Sequence, residues 1–399
     1  MRPVFRWSLA ATIVLLGSAV SVRAFGIVPE GSDVEIFARY GQAIVDGNVP
    51  YRDFFLEYPP GALAAIVPPA FGSPSLHAYA IRFAAMMVVA LGLTLFACGG
   101  VLVACRASRE RCLRALGLVA LSPLLLGPVA LKRYDALPAL LTVIALLLVL
   151  HRRFVPSALV VGLATAVKLY PLVLIPLVLV AAARSSRRSA FAAAAAFVAG
   201  CGLLFLPFLV LSPHGVVSSI RWQFGRQLQF ESSLASLALL AHLVTGTGIG
   251  LVSQAHSYAV GGARGTLLGY LTSLALIAAL LAVWLRAPRL VRSNDGIVLA
   301  WAATIAVVVA FARVLSPQYL LWAVAVVPLT RGSPGRAAAG LLAAACILTN
   351  IWFPTHYADV VSHLDGGAVL LLFARNTLLV AAAAVLVVAV WRRSEGRPE

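Results

Sequence analysis

An all-α polytopic membrane protein is the fold class this sequence predicts: a multi-span helical bundle forming a single transmembrane domain over residues 1–399. Three observations point there. Hydrophobic residues make up 61% of the chain and charged ones 11%, where a soluble chain carries roughly a quarter charged. Apolar runs long enough to span a bilayer recur from end to end, and no polar stretch is long enough for a separate soluble domain. The third observation is the distribution of charge. With the N-terminus inside and the loops alternating, 19 of the 31 Lys and Arg residues but only four of the 14 acids fall on the inner side, which then carries +15 against +2 outside. That asymmetry is the positive-inside rule of a plasma-membrane protein with both termini cytoplasmic. It accounts for the net charge of +17 without a nucleic-acid partner. The partner it implies is membrane lipid, held in part by the basic inner loops.

About twelve crossings follow from the apolar runs: 7–27, 78–104, 115–131, 136–150, 154–167, 169–183, 189–211, 264–285, 296–312, 319–330, 337–353 and 367–391. The first, with Arg2 and Arg6 ahead of it and Val22-Arg23-Ala24 behind, resembles a signal peptide. It reads here as an uncleaved helix, with cleavage at Ala24 as the alternative. Two outside segments are long, 28–77 and 212–263.

The first outside segment opens with a capping box, Ser32 as N-cap and Glu35 three residues on. Phe37, Tyr40, Gly41 and Ile44 then share one helical face, and Gly47-Asn48 and Pro50 stop the helix. Such a helix lies along the outer interface. Tyr51 to Gly61, with Glu57-Tyr58-Pro59-Pro60 inside it, leads into a second short helix.

Three hairpins carry cations where crossings are too short for the usual ~20 residues. They are Lys132-Arg133-Tyr134-Asp135, Lys168-Leu169-Tyr170-Pro171 and Arg313 to Tyr319. One such turn is most simply a cation snorkelling to the interface. Three together predict a polar cavity in the outer half of the membrane, supplied by Lys132, Arg133, Lys168 and Arg313. The five cysteines have no metal-ligand spacing and read as free structural thiols. No phosphate-cradling or dinucleotide glycine motif, no His-Glu-x-x-His and no Gly-x-Ser-x-Gly is present. Among the first-segment acids Asp33, Glu35, Asp46, Asp53 and Glu57, the residues alone do not select one for chemistry.

The ordered set of motifs resembles glycosyltransferase family 87, the polyprenyl-phosphate-mannose-dependent mannosyltransferases and their arabinofuranosyltransferase relatives in the GT-C superfamily. It runs from Asp33 and Tyr40 through Gly47, Tyr51 and Glu57-Tyr58-Pro59-Pro60 to Arg133-Tyr134-Asp135-Ala136-Leu137-Pro138. Lys168-Leu169-Tyr170-Pro171, Arg226-Gln227-Leu228-Gln229-Phe230-Glu231-Ser232 and Ser316-Pro317-Gln318-Tyr319-Leu320-Leu321-Trp322 follow. The resemblance implies a GT-C-like bundle with its active site at the outer face and a lipid-phosphate sugar as donor. It further implies inverting transfer to a glycolipid or polysaccharide hydroxyl, and an acid of the first outside loop as base. Asp33 is the matching position; the superfamily often has two adjacent acids there, whereas Val34 separates Asp33 from Glu35.

The residues suit that chemistry. A sugar phosphate is already activated, so transfer needs a carboxylate to take the acceptor proton and cations for the departing phosphate. Lys168, Arg133, Arg226 and Arg313 are the expected phosphate partners. Gln229, Glu231, Gln318 and Tyr319 are expected at sugar hydroxyls, and Glu57, Tyr58, Lys132, Asp135 and Tyr170 complete the substrate-binding set. No cofactor or metal is expected. The chief alternative is a transporter or flippase of a lipid-linked sugar; transporters tend to show repeated halves, and no repeat is visible here.

Overall fold

A computed structural model describes residues 13–23, 26, 33–254 and 256–394. The chain is predominantly helical and divides into two compact units, residues 1–224 and 225–399. Five helices are long and apolar enough to cross a membrane: Leu76–Ala104, Arg187–Leu211, Gly262–Leu290, Gly332–Trp352 and Gly366–Arg393. Shorter apolar helices, 136–150 and 154–167 among them, lie between.

The first unit begins with α1 (Ile13–Arg23) and α2 (Asp33–Val45). Helix α2 buries Val34, Phe37 and Gly41, the stripe expected of an amphipathic helix. Its expected cap, Ser32, lies outside the described residues. The helix ends where Gly47 takes φ +93° and the Asn48 side chain donates to the Ala43 carbonyl. A 3-10 turn at Pro60–Ala62, α3 (Leu63–Ile66) and a second turn at Pro68–Ala70 follow. Gly41 is pressed against this run: a Cβ there would lie 2.7 Å from the Ile66 carbonyl. The same carbonyl accepts the Tyr79 hydroxyl of α4 (Leu76–Ala104).

Helices α5 (Arg109–Leu125), α6 (Val129–Lys132), α7 (Ala136–Leu150), α8 (Phe154–Val167), α9 (Ile175–Ala183), α10 (Arg187–Leu211) and α11 (Pro213–Phe224) complete this unit. The chain is extended at Arg133, between α6 and α7, and again at Lys168, after α8. Helices α8 and α10 touch through facing glycines. A Cβ on Gly162 would lie 2.3 Å from the Phe197 carbonyl, and one on Gly200 2.4 Å from that of Leu159. Small residues permit this approach, a common device of membrane helices.

In the second unit, α12 (Ser233–Thr245) ends at left-handed Gly246. The second long outside segment then contains an element that its sequence reading did not include. This is an antiparallel hairpin of β1 (Leu251–Gln254) and β2 (Ser257–Val260), turned at His256 with φ +55°. Residues 228–230 run along β2: Phe230 donates to the Tyr258 carbonyl and Val260 to that of Leu228. Helices α13 (Gly262–Trp284), α14 (Ala287–Leu290), α15 (Asn294–Ala310), α16 (Leu320–Val326), α17 (Gly332–Trp352), α18 (Tyr357–His363) and α19 (Gly366–Ser394) follow. Every residue of α15 from Gly296 to Ala310 is buried, which explains a sequence apolar on all sides. Phe230, Trp352, Val369 and Leu372 centre one core of this unit.

Candidate functional site

The first unit gathers the residues of three separated motifs. Asp33 opens α2, and its Oδ2 lies 2.8 Å from Nε of Arg133, in the break between α6 and α7. Arg133 also donates Nη1 to the Lys132 carbonyl. Asp135 stands at the N-cap position of α7 without capping it. Its carboxylate reaches instead to Lys168, with Nζ 2.6 Å from Oδ1. Asp135 is 1% exposed, so this is a buried ion pair, whose partners are each costly to leave alone. The extended conformation of Lys168 turns the chain out of α8 immediately before Pro171 resets it into a 3-10 turn.

Aromatic rings tie these pairs together. The Tyr134 ring meets Phe37 and Tyr58 at centroid separations of 5.7 and 5.5 Å. Lys168 Nζ lies 4.9 Å from the Tyr134 ring centre, within cation–π range. Burial, and after it the Asp33 and Glu57 carboxylates, push the Tyr58 hydroxyl well above its ordinary range. Tyr58 therefore remains a neutral phenol.

The Glu57–Gly61 segment is fixed from several sides. Tyr51 donates its hydroxyl to the Tyr58 carbonyl at 2.6 Å, and Gln223 of α11 donates Nε2 to the Glu57 carbonyl at 2.5 Å. Gly61 lies against the end of α8: a Cβ there would be 2.6 Å from the Ala166 carbonyl. That approach couples the Pro-Pro-Gly turn to the backbone that presents Lys168. A small open cleft is lined here by Glu57, Pro59, Leu169, Ser219 and Gln223 together with apolar side chains. Lys132 is 8% exposed and Tyr170 is buried, with its hydroxyl 3.5 Å from that of Thr142.

The other first-segment acids have different surroundings. Asp53 is held low, to about 2, by the adjacent Arg52 guanidinium and then by the Val49 amide; it is a surface turn residue. Asp46 accepts from Gln42. Glu35 makes no side-chain hydrogen bond or ion pair with a described residue. Thus Asp33, not Glu35, is in contact with the Arg133 motif.

The second unit holds the remaining predicted residues. Arg226 donates Nη2 to the Ser257 hydroxyl of the hairpin. Gln229 Nε2 lies 2.6 Å from Glu231 Oε2, and both side chains are buried. The Gln229 amide donates to the Arg313 carbonyl at 2.9 Å, so two of the motifs meet through backbone. Gly269 makes room for the Arg313 side chain, whose Nη2 would lie 2.9 Å from a Cβ there. Gln318 and Tyr319 are in the 3-10 turn Pro317–Tyr319, and the Tyr319 ring stacks on Trp322 at 4.0 Å. Two residues absent from the sequence-derived set belong here: Arg375 and Asn376, buried in α19 and bonded to the Glu231 segment. The signal for them was a charged and an amide residue inside an apolar span.

Among the described residues, no group of three or more His, Cys, Asp or Glu side chains has a metal-binding arrangement. The cysteines are free. A comparison with curated proteins gives no match. The family model for glycosyltransferase family 87 matches residues 55–317, about two thirds of the 399-residue chain. The match includes the Glu57, Arg133, Lys168, Arg226 and Arg313 motifs; the Gln318-Tyr319 pair follows directly after its end, and Asp33 precedes its start at residue 55. With its ordered motifs and apolar helices, the chain belongs to glycosyltransferase family 87.

Proposed function

We propose that this membrane glycosyltransferase moves a sugar from a polyprenyl-phosphate donor to a hydroxyl of a glycolipid or polysaccharide on the outer face of the plasma membrane. Mannose is the first candidate and arabinofuranose the second. The chain crosses the bilayer about twelve times, with its short helices ending at cation-bearing turns below the outer surface. The observation that carries the reading is the contact between Asp33 and Arg133 at 2.8 Å. A carboxylate of the first outside segment, at the position where the family resemblance implies the base, and a cation suited to phosphate stand side by side.

The reaction is a single displacement. Asp33 takes the proton of the acceptor hydroxyl as its oxygen bonds to the sugar's anomeric carbon, on the face opposite the phosphate. The bond from that carbon to the phosphate oxygen breaks, and the polyprenyl phosphate leaves with the electron pair. Arg133 orients the base through Nε, and its planar guanidinium has further N–H donors for a phosphate oxygen. Lys132 and Lys168 supply additional positive charge. Arg133 and Lys168 are already paired with Asp33 and Asp135, so an arriving phosphate must draw either cation partly away from its present partner. Tyr58, kept neutral, holds its hydroxyl on the Glu57 side chain and turns that donor to the sugar as the substrate arrives. Gln229, Glu231, Arg226 and Arg313 form a second group of sugar and phosphate partners.

The test is transfer from synthetic polyprenyl-phosphate-mannose and polyprenyl-phosphate-arabinose by purified protein in liposomes, with wild type beside Asp33→Asn. Transfer that collapses in the folded variant supports both the reaction and its base. Transfer that survives moves the base to Glu35 or Glu57. A protein that consumes neither donor but carries a labelled lipid-linked sugar across the liposome membrane is a transporter.

A further inference from the structure

Helix α19 is apolar along most of its length, yet it buries Arg375 and Asn376 side by side, at 1% and 2% exposure. An arginine inside a membrane helix is expensive, and it persists where it meets a protein partner or a polar cavity. Here the partner is one turn of backbone. Arg375 donates Nη2 to the Glu231 carbonyl at 2.8 Å, and Asn376 donates Nδ2 to the same carbonyl at 3.0 Å. The Asn376 amide also reaches the Ser236 hydroxyl at 2.8 Å and the Ser232 carbonyl at 3.3 Å. The Glu231 carboxylate is the charge acting on the guanidinium, and the Trp352 ring lies 5.8 Å from Cζ.

The turn so held is the exit from the Arg226–Ser232 motif. Ser232 is the N-cap residue of α12, but its side chain makes no capping bond. The motif's start is fixed by the Arg226 side chain on the Ser257 hydroxyl and by the Gln227 amide on the Gln254 side chain, and its middle by backbone bonds to β2 and to the Arg313 carbonyl. Past its end, Ser233 donates its hydroxyl to the Ala310 carbonyl. Side-chain donors from α19 act on the carbonyls at the junction itself, Glu231 and Ser232, where the motif leaves β2 and enters α12. The buried Gln229–Glu231 side-chain pair stands in the same turn.

We propose that Arg375 and Asn376 are positioning residues for the donor sugar: by clamping the Glu231 and Ser232 carbonyls, they hold Gln229 and Glu231 in the geometry that binds it. The inference rests on the transferase reading and extends it to a pair of residues beyond the matched family region, 55–317.

The test uses full-length protein in nanodiscs with Arg375→Met, Arg375→Lys and Asn376→Ala. Arg375→Met keeps length and removes the donor, and it is expected to raise KM for the polyprenyl-phosphate sugar about tenfold, with kcat per folded molecule within about threefold. Arg375→Lys can still donate to the carbonyl and is expected to return KM to within about threefold of wild type. Asn376→Ala is the variant to read if Arg375→Met does not fold, and its expected rise in KM is about fivefold. A loss confined to the amount of active enzyme, with KM unchanged, is what a merely structural role gives and overturns the proposal. If wild type transfers neither mannose nor arabinose, the transferase reading falls, and hydrogen exchange decides the clamp separately. Amides of Ser232 to Ser236 exchanging about tenfold faster in Asn376→Ala, with α7 unchanged, support it; equal exchange overturns it.

Discussion

Arg133 and Asp33, a hundred residues apart in sequence, meet with Nε 2.8 Å from Oδ2. The contact joins the first turn of α2 to the break between α6 and α7, so it fixes the proposed base and a proposed phosphate partner in one unit. Residues that act together in this way lose activity non-additively. Asp33→Asn is expected to lower kcat by about 10²–10⁴, the range for a general base. Arg133→Gln is expected to lower it by a similar order, because it frees the carboxylate and removes a phosphate donor at once. The double variant should then cost little more than either alone. Rates of transfer in liposomes give the cycle, and strictly multiplicative losses would separate the two residues into independent roles.

Asp135 and Lys168 make the second pair, and its energetics differ because it is buried. Removing one partner leaves the other charge unanswered in a poor dielectric, at a cost of about 3 kcal/mol. Asp135→Asn should therefore lower the thermal midpoint in detergent markedly. Asp135→Asn with Lys168→Met removes both charges and should recover much of the stability while leaving transfer impaired. A double variant no more stable than Asp135→Asn would show that the pair is not the source of the loss.

The helical periods were readable because they depend on local spacing. The sequence placed helices at 136–150 and 154–167, and those are the bounds of α7 and α8. The breaks at Arg133 and Lys168 were marked by cations and prolines set between apolar runs. What local spacing does not carry is partnership: no period relates Asp33 to Arg133 or Asp135 to Lys168. The β1–β2 hairpin was obscured because each strand has four residues, too few for a firm alternation, and no Asn-Gly or Asp-Gly marks its turn. Arg375 and Asn376 were visible but were absorbed into the apolar average of their span. One charged and one amide residue in the middle of a long apolar helix hardly alter that average, although their physical cost is local.

Gly61 offers a test of the coupling between the Pro-Pro-Gly turn and Lys168. A Cβ at this position would sit 2.6 Å from the Ala166 carbonyl, a backbone atom that cannot swing aside. Gly61→Ala should cost about 1–3 kcal/mol, as overpacking does, and reduce transfer by displacing the end of α8. Gly202, within α10, is the control, since nothing lies within 4 Å of its would-be Cβ. Gly202→Ala should be neutral or stabilising by up to about 1 kcal/mol, because alanine is the better helix former. Equal effects at the two glycines, measured by thermal unfolding, would remove the steric argument.

The proposed orientation can be read in intact cells from two exposed loop positions. Gly248 lies in the segment before β1, and no atom is within 4 Å of its would-be Cβ, so a cysteine fits there. Ser185 lies in the exposed turn between α9 and α10, beside Arg184, Arg187 and Arg188. The charge rule puts the first loop outside and the second inside. In a background with the five native cysteines replaced, Gly248→Cys should react with a membrane-impermeant maleimide in whole cells. Ser185→Cys should react only after permeabilisation. The opposite pattern would invert the topology and place these loops on the other sides of the membrane. Equal labelling of both in intact cells would mean that an odd number of crossings does not separate them. The reading of residues 212–263 as one outside segment would then have to change. The crossing at 189–211 is the one that separates the two positions, and a further crossing by α11 or α12 would return Gly248 to the side of Ser185.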